Sequence, residues 1–228
     1  MDKSSKYIFE MAKIEDHDKI VDFEYNYFFK ECHLTKLVSD SLEDPKLFSY
    51  SENKARKTLK NNMTIVAKDP TRGDQIIGVA GCGIYQQTCQ REKFPETTEG
   101  RKIVDEWLSY ANNSINIVQE LKTNKILKFE RCSIHPEYLN QGLYGELRLR
   151  TLLLGRLLGY EAAFCIVANT YAGKALAKLG LETLFRMSFA EYTDENGVKV
   201  FENVEHPHTH FSIMGLKLNA IDFTKWNE

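Results

Sequence analysis

The 228-residue chain lacks the features that mark secreted, membrane-spanning or nucleic-acid-binding proteins. Its five cysteines are an odd number, and no two of them have the C-x-x-C spacing of a zinc or redox site. Apolar runs are short, and the leucines at 152–154 are soon followed by Arg156. Thirty basic residues balance 32 acidic ones, and the polar N-terminus lacks a signal-peptide pattern. We therefore expect reduced thiols, a cytoplasmic location, and neither membrane nor nucleic acid as a partner.

The composition is that of a globular protein with a core of its own. Hydrophobic residues make up 43% of the chain and aromatic residues 11%, which is enough to bury a core without disulfides or metals. We find no internal repeat, no low-complexity segment and no long linker. The sequence therefore predicts a single domain over 1–228, with a core at about 6–218.

The hydrophobic pattern predicts strands and helices of an α/β or α+β protein. Alternating or fully apolar segments predict strands at 7–13, 63–67, 75–85, 125–134, 162–167, 184–192 and 208–218. Helical spacing predicts helices after 15–16 and at 33–41, 53–60, 101–121, 142–158 and 170–179. Turn-forming residues at 69–74 predict a hairpin between the second and third strands, and those at 194–197 another turn near the C-terminus.

One segment has a pattern that suits phosphate binding. The predicted strand 125–134 is followed by Leu139-Asn140-Gln141-Gly142-Leu143-Tyr144-Gly145, which opens a predicted helix. A turn of this kind directs free backbone N–H groups, and the positive end of the helix dipole, toward one point. Taken alone, the two glycines also suit an ordinary strand-to-helix connection.

The surrounding residues resemble the acetyl-CoA motif of the GNAT acetyltransferases. In that family a strand leads through a V-x-P-x-Y-R-G-x-G-I-G/A turn into a helix, and N-x-x-A and K-L-G-F segments follow. This chain has Ile134-His135-Pro136-Glu137-Tyr138 before the turn, and later Asn169-Thr170-Tyr171-Ala172 and Lys178-Leu179-Gly180-Leu181. Several anchors in the right order over about 50 residues are more specific than any one of them.

The ends of the chain narrow the resemblance to arylalkylamine N-acetyltransferases of the invertebrate, dopamine-acetylating type. The segment Phe185-Arg186-Met187-Ser188-Phe189-Ala190-Glu191-Tyr192 and the later Pro207-His208 are similar to that family's C-terminus. The segment Tyr27-Phe28-Phe29-Lys30-Glu31 is similar to the end of its first helix.

The resemblance implies the GNAT fold and acetyl-CoA as co-substrate. The fold is a mixed, mostly antiparallel central sheet with a splayed parallel strand pair and flanking helices. The amides of 140–145 would hold the pyrophosphate and Asn169 would contact the pantetheine arm. The full implied coenzyme set is Cys132, Ser133, Ile134, Asn140, Gln141, Gly142, Leu143, Tyr144, Gly145, Asn169 and Ala172.

The chain departs from the family at several functional positions. Leu139 stands in place of the motif's arginine, and Tyr144 in place of a small residue. Aligned without gaps, Cys32 replaces the family's catalytic glutamate. Two serines associated with that glutamate, and the acid tyrosine of other GNAT enzymes, fall on Ala168, Ala172 and Leu176. The framework that binds the coenzyme is thus better kept than the groups that would do the chemistry.

Two carboxylates are candidate general bases. Glu31 serves if the loop slips by one residue, and Glu130 lies in mid-strand on the same face as Lys128 and Cys132. An equally good interpretation of Glu130 is an ion pair with Lys128 or Arg131.

Other side chains are candidates for the acceptor site or are set aside. Cys32, His33 and His208 are the candidate substrate-binding residues. His206, His208 and His210 alternate on a predicted strand, but no evident set of ligands completes a metal site, and none is expected. Arg148 is expected to be a solvated arginine on a helix face, with the adenosine phosphates as an alternative partner.

The sequence therefore predicts an acetyl-CoA-dependent N-acetyltransferase that acts on a small primary amine, expected to be an arylalkylamine, through a ternary complex. A non-catalytic acyl-CoA-binding homologue and an acetyltransferase of protein amines are the alternatives. The protein is expected to be a monomer or a homodimer.

Overall fold

A computed structural model describes residues 6–85 and 97–221. Cys89 and most of the polar segment before the fourth helix lie outside these ranges. The helices are α1 His17–Glu24, α2 His33–Val38, α3 Pro45–Lys60, α4 Glu99–Asn113, α5 Ile117–Leu121, α6 Leu143–Leu157 and α7 Thr170–Lys178. The strands are β1 Ile8–Met11, β2 Thr64–Asp69, β3 Gln75–Ile84, β4 Ile126–Ile134, β5 Ala162–Val167, β6 Glu182–Ser188 and β7 His210–Lys217.

The strands are hydrogen-bonded in the order β1-β2-β3-β4-β5-β7-β6. The β4–β5 pair is parallel, and the pairs β1–β2, β2–β3, β5–β7 and β6–β7 are antiparallel. The parallel register runs from Ile126 opposite Ala162 to Lys128 opposite Phe164. The predicted mixed sheet with one parallel pair is therefore confirmed, while the splay of that pair stays a prediction.

The described residues form two compact units. The first contains 6–83, 97–101 and 130–151, and the second contains 84–85, 102–129 and 152–221. The apolar core of the first unit comprises Ile20, Phe23, Leu59, Val66, Ile76 and Val79. That of the second comprises Ile117, Leu121, Ile126, Ala162, Phe164 and Ile213. The prediction that the whole chain is one domain stays a prediction.

Two helix predictions are wrong in their extent. The helix predicted at 101–121 is two helices, because α4 ends at Asn113 and the side chain of Asn116 accepts a hydrogen bond from the Gln119 amide to cap α5. The helix predicted to begin at Asn53 begins at Pro45. There Asp44 caps the first turn by accepting from the Lys46 amide, and proline suits the first helical position.

The C-terminal strands are shorter than predicted. β6 ends at Ser188 and gives way to a 3₁₀ turn, Phe189–Glu191, whereas the prediction extended the strand to Tyr192. β7 begins at His210, so His206 and His208 precede it, and the prediction that three histidines alternate along one strand is wrong.

Across 6–85 and 97–221, no helix combines the length and apolar composition needed to cross a bilayer. Within the same residues, no group of three His, Cys, Asp or Glu side chains is arranged to hold a metal ion.

Candidate functional site

The turn after β4 has the backbone conformation that its asparagine and glycine favour. A 3₁₀ turn, Pro136–Tyr138, follows β4, and α6 begins at Leu143. Between them Asn140 has φ of 61° and Gly142 has φ of 80°, the left-handed conformation that glycine and asparagine adopt at least cost. The chain therefore reverses within a few residues, and the first turn of a 15-residue helix follows directly.

The space around this turn suits a phosphate group. A Cβ atom built on Gly142 or on Gly145 would meet no other atom within 4 Å. By contrast, a Cβ on Gly78 would lie 2.9 Å from Leu147 Cδ1. The amides of a first helical turn have no partner within the helix and carry the positive end of its dipole. The space at both glycines is thus open, and the first-turn amides of α6 beside it suit a phosphate group.

Two tyrosines and two carboxylates hold the turn in place. Tyr7 Oη donates to Gln141 Oε1 at 2.6 Å, and Tyr138 Oη donates to Asp69 Oδ2 at 2.7 Å. The rings of Tyr7 and Tyr138 lie edge to face at 5.7 Å. The pKa of Asp69 is lowered, mainly by its hydrogen bond from Thr71 and next by that from Tyr138, so the carboxylate stays charged and accepts both bonds. Beside it, Arg72 pairs with Glu137 at 2.6 Å.

Arg148 of α6 is buried, and the prediction of a solvated or phosphate-binding arginine is wrong. It is 2% exposed, and its guanidinium donates to the Glu130 carbonyl at 3.0 Å and to the Gly81 carbonyl at 3.4 Å. It also lies 5.6 Å from the centre of the Tyr144 ring. The residue therefore ties the helix after the turn to the backbone of β3 and β4.

The predicted residues of β4 lie on both faces of the strand. Lys128, Glu130 and Cys132 alternate on a half-buried face, while Arg131 and Ser133 are buried on the other. The Ser133 hydroxyl makes no hydrogen bond within the described part of the chain. The Glu130 carboxylate lies over Gly83, where a Cβ would be 3.6 Å from Glu130 Oε1. The Glu130 side chain is thus partly buried and lies beside β3.

A π-helical segment, Tyr25–Phe29, ends one residue before Glu31, and the residue between them, Lys30, donates its backbone N–H to the Tyr25 carbonyl at 3.0 Å. Such segments are rare and are frequently found at functional sites. Glu31 is exposed and accepts from Lys36 Nζ at 2.6 Å. Cys32 precedes α2, and Cys32 and His33 are partly buried. The three residues belong to the segment 30–33, which ends on the first residue of α2. We call it the acceptor loop, after the acceptor role predicted for Cys32 and His33.

In the second unit, the predicted residues Asn169, Ala172 and His208 surround the start of α7. Asn169 Oδ1 accepts from the amides of Tyr171 and Ala172 at 2.9 and 3.1 Å. His208 Nδ1 accepts from the Thr170 amide at 3.2 Å. The Asn169 oxygen is therefore engaged in capping α7, so an interaction with pantetheine would use its amide NH₂ group or backbone. His208 supports the same helix end.

No family model matches the chain, whereas many solved structures do. Arylalkylamine N-acetyltransferase 2 from Aedes aegypti is 25% identical, with a TM-score of 0.81 over 94% of this chain and all of that one. A polyamine N-acetyltransferase from Drosophila melanogaster is 14% identical, with a TM-score of 0.78 over 92% of this chain and 99% of that one.

A more distant neighbour is a GNAT phosphinothricin acetyltransferase from Sinorhizobium meliloti, solved in complex with AcCoA. It is 13% identical, with a TM-score of 0.55 over 93% of this chain and 88% of that one. The chain has the GNAT acetyltransferase fold. The predicted resemblance to GNAT N-acetyltransferases of the arylalkylamine type is confirmed, and the prediction of an enzyme of this kind agrees with all three neighbours.

The pH dependence of the protein's stability should include a contribution from His208. Burial, and then the nearby His206, lower the pKa of His208, and its Nδ1 must stay unprotonated to accept from Thr170. A lowered folded-state pKa gives stability that is present above the ordinary value of about 6.5 and is lost as the pH falls below it. We expect His208→Asn, whose side-chain oxygen can also accept a hydrogen bond from the Thr170 amide, to reduce the change in melting temperature between about pH 7 and 5. An unchanged pH profile would contradict this role.

The turn of this GNAT fold can be tested with a matched pair of variants. Asp and Asn both tolerate the left-handed conformation at Gly142, but Asp adds a charge that repels a pyrophosphate. We expect Gly142→Asp to bind CoA about tenfold more weakly than Gly142→Asn in isothermal titration calorimetry. The ratio should shrink as salt is added, because ions screen the charge. Equal dissociation constants would mean that the pyrophosphate lies elsewhere.

Proposed function

We propose that the protein transfers the acetyl group of acetyl-CoA to a small primary amine of the arylalkylamine class. The observation that carries the proposal is the open turn at 140–145, with its left-handed Asn140 and Gly142 at the head of α6 in a GNAT fold. Such a turn suits the pyrophosphate of a coenzyme. The Aedes aegypti neighbour is named an arylalkylamine N-acetyltransferase, which supports the acceptor class.

Binding of the coenzyme would rest mainly on backbone groups. The substitutions at Leu139 and Tyr144 remove an arginine and a small residue of the motif, but they leave the amides of 140–145 in place. Leu139 is exposed and Tyr144 is half-buried, and neither comes within 4 Å of a Cβ built on Gly142. The hydrogen bond from Tyr7 to Gln141 fixes the turn before the ligand arrives, which reduces the entropy lost on binding.

Glu130 is the better supported general base. Its carboxylate lies on the half-buried face of β4, four residues before the end of the strand that leads into the coenzyme turn. Glu31 is exposed and already paired with Lys36. In the reaction, the acceptor ammonium gives a proton to Glu130, directly or through water. The amine nitrogen then bonds to the thioester carbon, the C–S bond breaks, and the second proton lost by the nitrogen goes to the leaving CoA thiolate.

The aromatic residues before the acceptor loop support an aromatic or apolar acceptor. Besides the buried Phe29, the π-helical segment contains the partly buried Tyr25, Tyr27 and Phe28. Tyr27 lies edge to face with His135 at 4.9 Å, next to the turn that begins the coenzyme motif. Aromatic side chains of this kind supply apolar surface for a ring-bearing ligand.

The proposal is tested by measuring release of free thiol from acetyl-CoA in the presence of single amines. Tryptamine, tyramine and dopamine are the expected acceptors, and spermidine, agmatine and amino acids are the comparison set. Preferred turnover of the arylalkylamines supports the proposal. Preferred turnover of spermidine or agmatine would show that the acceptor is a polyamine and that the proposed acceptor class is wrong. If no amine causes thiol release although CoA binds tightly, the proposed activity is overturned.

A non-catalytic acyl-CoA-binding protein is the second candidate. It is favoured by Cys32, Ala168 and Ala172, which lack the reactive groups that the resembling enzymes have at these positions. This candidate predicts a thermal shift with CoA and no thiol release with any amine. It also predicts that Glu130→Gln leaves CoA affinity unchanged.

A further inference from the structure

Arg131 joins the strand of the coenzyme motif to α1, which precedes the acceptor loop, and to α3, which follows it. It is buried in β4, and its Nε donates to Glu24 Oε2 at 2.8 Å. Its Nη2 donates to the Lys54 carbonyl at 3.0 Å and to Thr58 Oγ1 at 2.8 Å. One guanidinium therefore binds the end of α1 and the second half of α3 at once.

The same guanidinium packs against the last residue of the π-helical segment. The Phe29 ring is buried, and its centre lies 5.8 Å from the Arg131 guanidinium carbon and 5.9 Å from that of Arg101. The Tyr50 ring lies edge to face with it at 5.8 Å. A buried ring between two cations gains cation–π energy in a region of low dielectric. Phe29 is therefore an anchor for the backbone that follows it.

These contacts enclose both ends of the π-helical segment. Glu24 is its N-terminal neighbour and is 2% exposed, while Phe29 is its last residue. Lys30 and Glu31 come next, followed by Cys32 and His33. The position of the acceptor loop thus depends on a segment that Arg131 contacts at its start through Glu24 and at its end through Phe29.

We propose that Arg131 is the positioning residue of the acceptor loop. It sets the conformation of residues 30–33 from the strand that leads into the coenzyme turn, and so aligns the amine-binding side of the site. The inference rests on the proposed function. It assigns Arg131 a task other than pairing with the neighbouring Glu130, which was one of the sequence-based interpretations.

The geometry requires arginine and not simply a positive charge. The planar guanidinium donates in fixed directions to Glu24, Lys54 and Thr58, whereas a lysine ammonium is a compact charge on a flexible stem. Replacement by lysine leaves a positive charge to balance Glu24 but removes the planar guanidinium that donates to three partners at once. Arg131→Lys is therefore the informative variant, and the fold is expected to survive it better than a neutral substitution.

The first test measures the loop directly through the partly buried thiol of Cys32. The rate of iodoacetamide labelling at Cys32, followed peptide by peptide in mass spectrometry, reports local opening. We expect Arg131→Lys to raise this rate about tenfold, as does Glu24→Gln, because each weakens a charged hydrogen bond. The matched control is Arg56→Lys on the exposed side of α3, which should change it less than about twofold.

The second test separates the two substrates. In Arg131→Lys we expect the KM for the best amine to rise about tenfold while the dissociation constant of CoA changes less than about twofold. A labelling rate at Cys32 equal to that of Arg56→Lys would overturn the inference, as would an equal loss of affinity for both substrates. Faster labelling in a protein that acetylates no amine would instead overturn the proposed function and leave the positioning of the loop standing.

Discussion

Glu130→Gln is expected to lower kcat with the best amine about a hundredfold and to leave CoA affinity unchanged. The carboxylate lies on the half-buried face of β4 over Gly83, where it can accept a proton that glutamine cannot. The variant keeps the size and the hydrogen-bonding shape of the side chain, so a loss of activity reports the missing base. Steady-state kinetics and CoA titration together measure the effect.

Glu31→Gln is the matched control for this experiment. The Glu31 side chain is 58% exposed and paired with Lys36, so its loss should change kcat less than about twofold. Above about pH 9, where more of the amine is free, the defect of Glu130→Gln should diminish, because the base is then needed less. A large defect in Glu31→Gln with normal kinetics in Glu130→Gln would reverse the assignment of the base.

Lys68→Met is expected to destabilise the protein by about 3–5 kcal/mol. The Lys68 ammonium lies 2.8 Å from Asp16 Oδ2 and 3.0 Å from Glu10 Oε1, and Asp16 is 3% exposed. Without Lys68 the buried Asp16 carboxylate loses the partner that compensates for its burial. Urea unfolding measures the loss. The double variant with Asp16→Asn should recover most of it, since no buried charge remains.

The pH dependence of this loss gives a second measurement. Burial raises the pKa of Asp16, but the hydrogen bonds from Lys68 and from the Lys13 backbone lower it by more, so that the pKa is lower than its ordinary value. The hydrogen bond from Lys68 also lowers the pKa of Glu10. Lowered folded-state values give stability that is present above the ordinary pKa of about 4 and lost as the pH falls below it. The gap between wild type and Lys68→Met should therefore be largest near neutral pH and shrink below about pH 4. A gap independent of pH would contradict the ion-pair explanation.

The sequence predicted elements well where local pattern decides them. The strand at 162–167 was predicted with its observed bounds, because a short, fully apolar run after a glycine-containing turn leaves few alternatives. The break between α4 and α5 was missed because apolar spacing continues across it, at Ile115 and Val118. The start of α3 was missed although Asp44 and Pro45 are a regular capping signal.

Within the site, the sequence was informative about the turn and silent about what surrounds it. Residues 140–145 could be found because glycine and asparagine are needed for the local backbone conformation. The contact between Tyr7 and Gln141 spans 134 positions, and no local pattern indicates such a pair. The prediction for Arg148 was wrong because the sequence of a helix does not show whether an arginine in it faces solvent or, as here, donates to two buried carbonyls.

The π-helical segment has a consequence for how this site can change over generations. A π-turn holds one residue more than the α-turn it replaces, so a deletion of one residue within 25–29 would restore regular helix. Everything after the deletion would keep its direction relative to α1, because the π-turn is what absorbs the extra residue. Glu31, Cys32 and His33 would then stay where they are. A one-codon deletion within the segment would thus change the local helix geometry and leave the side chains of the acceptor loop in the same order and place.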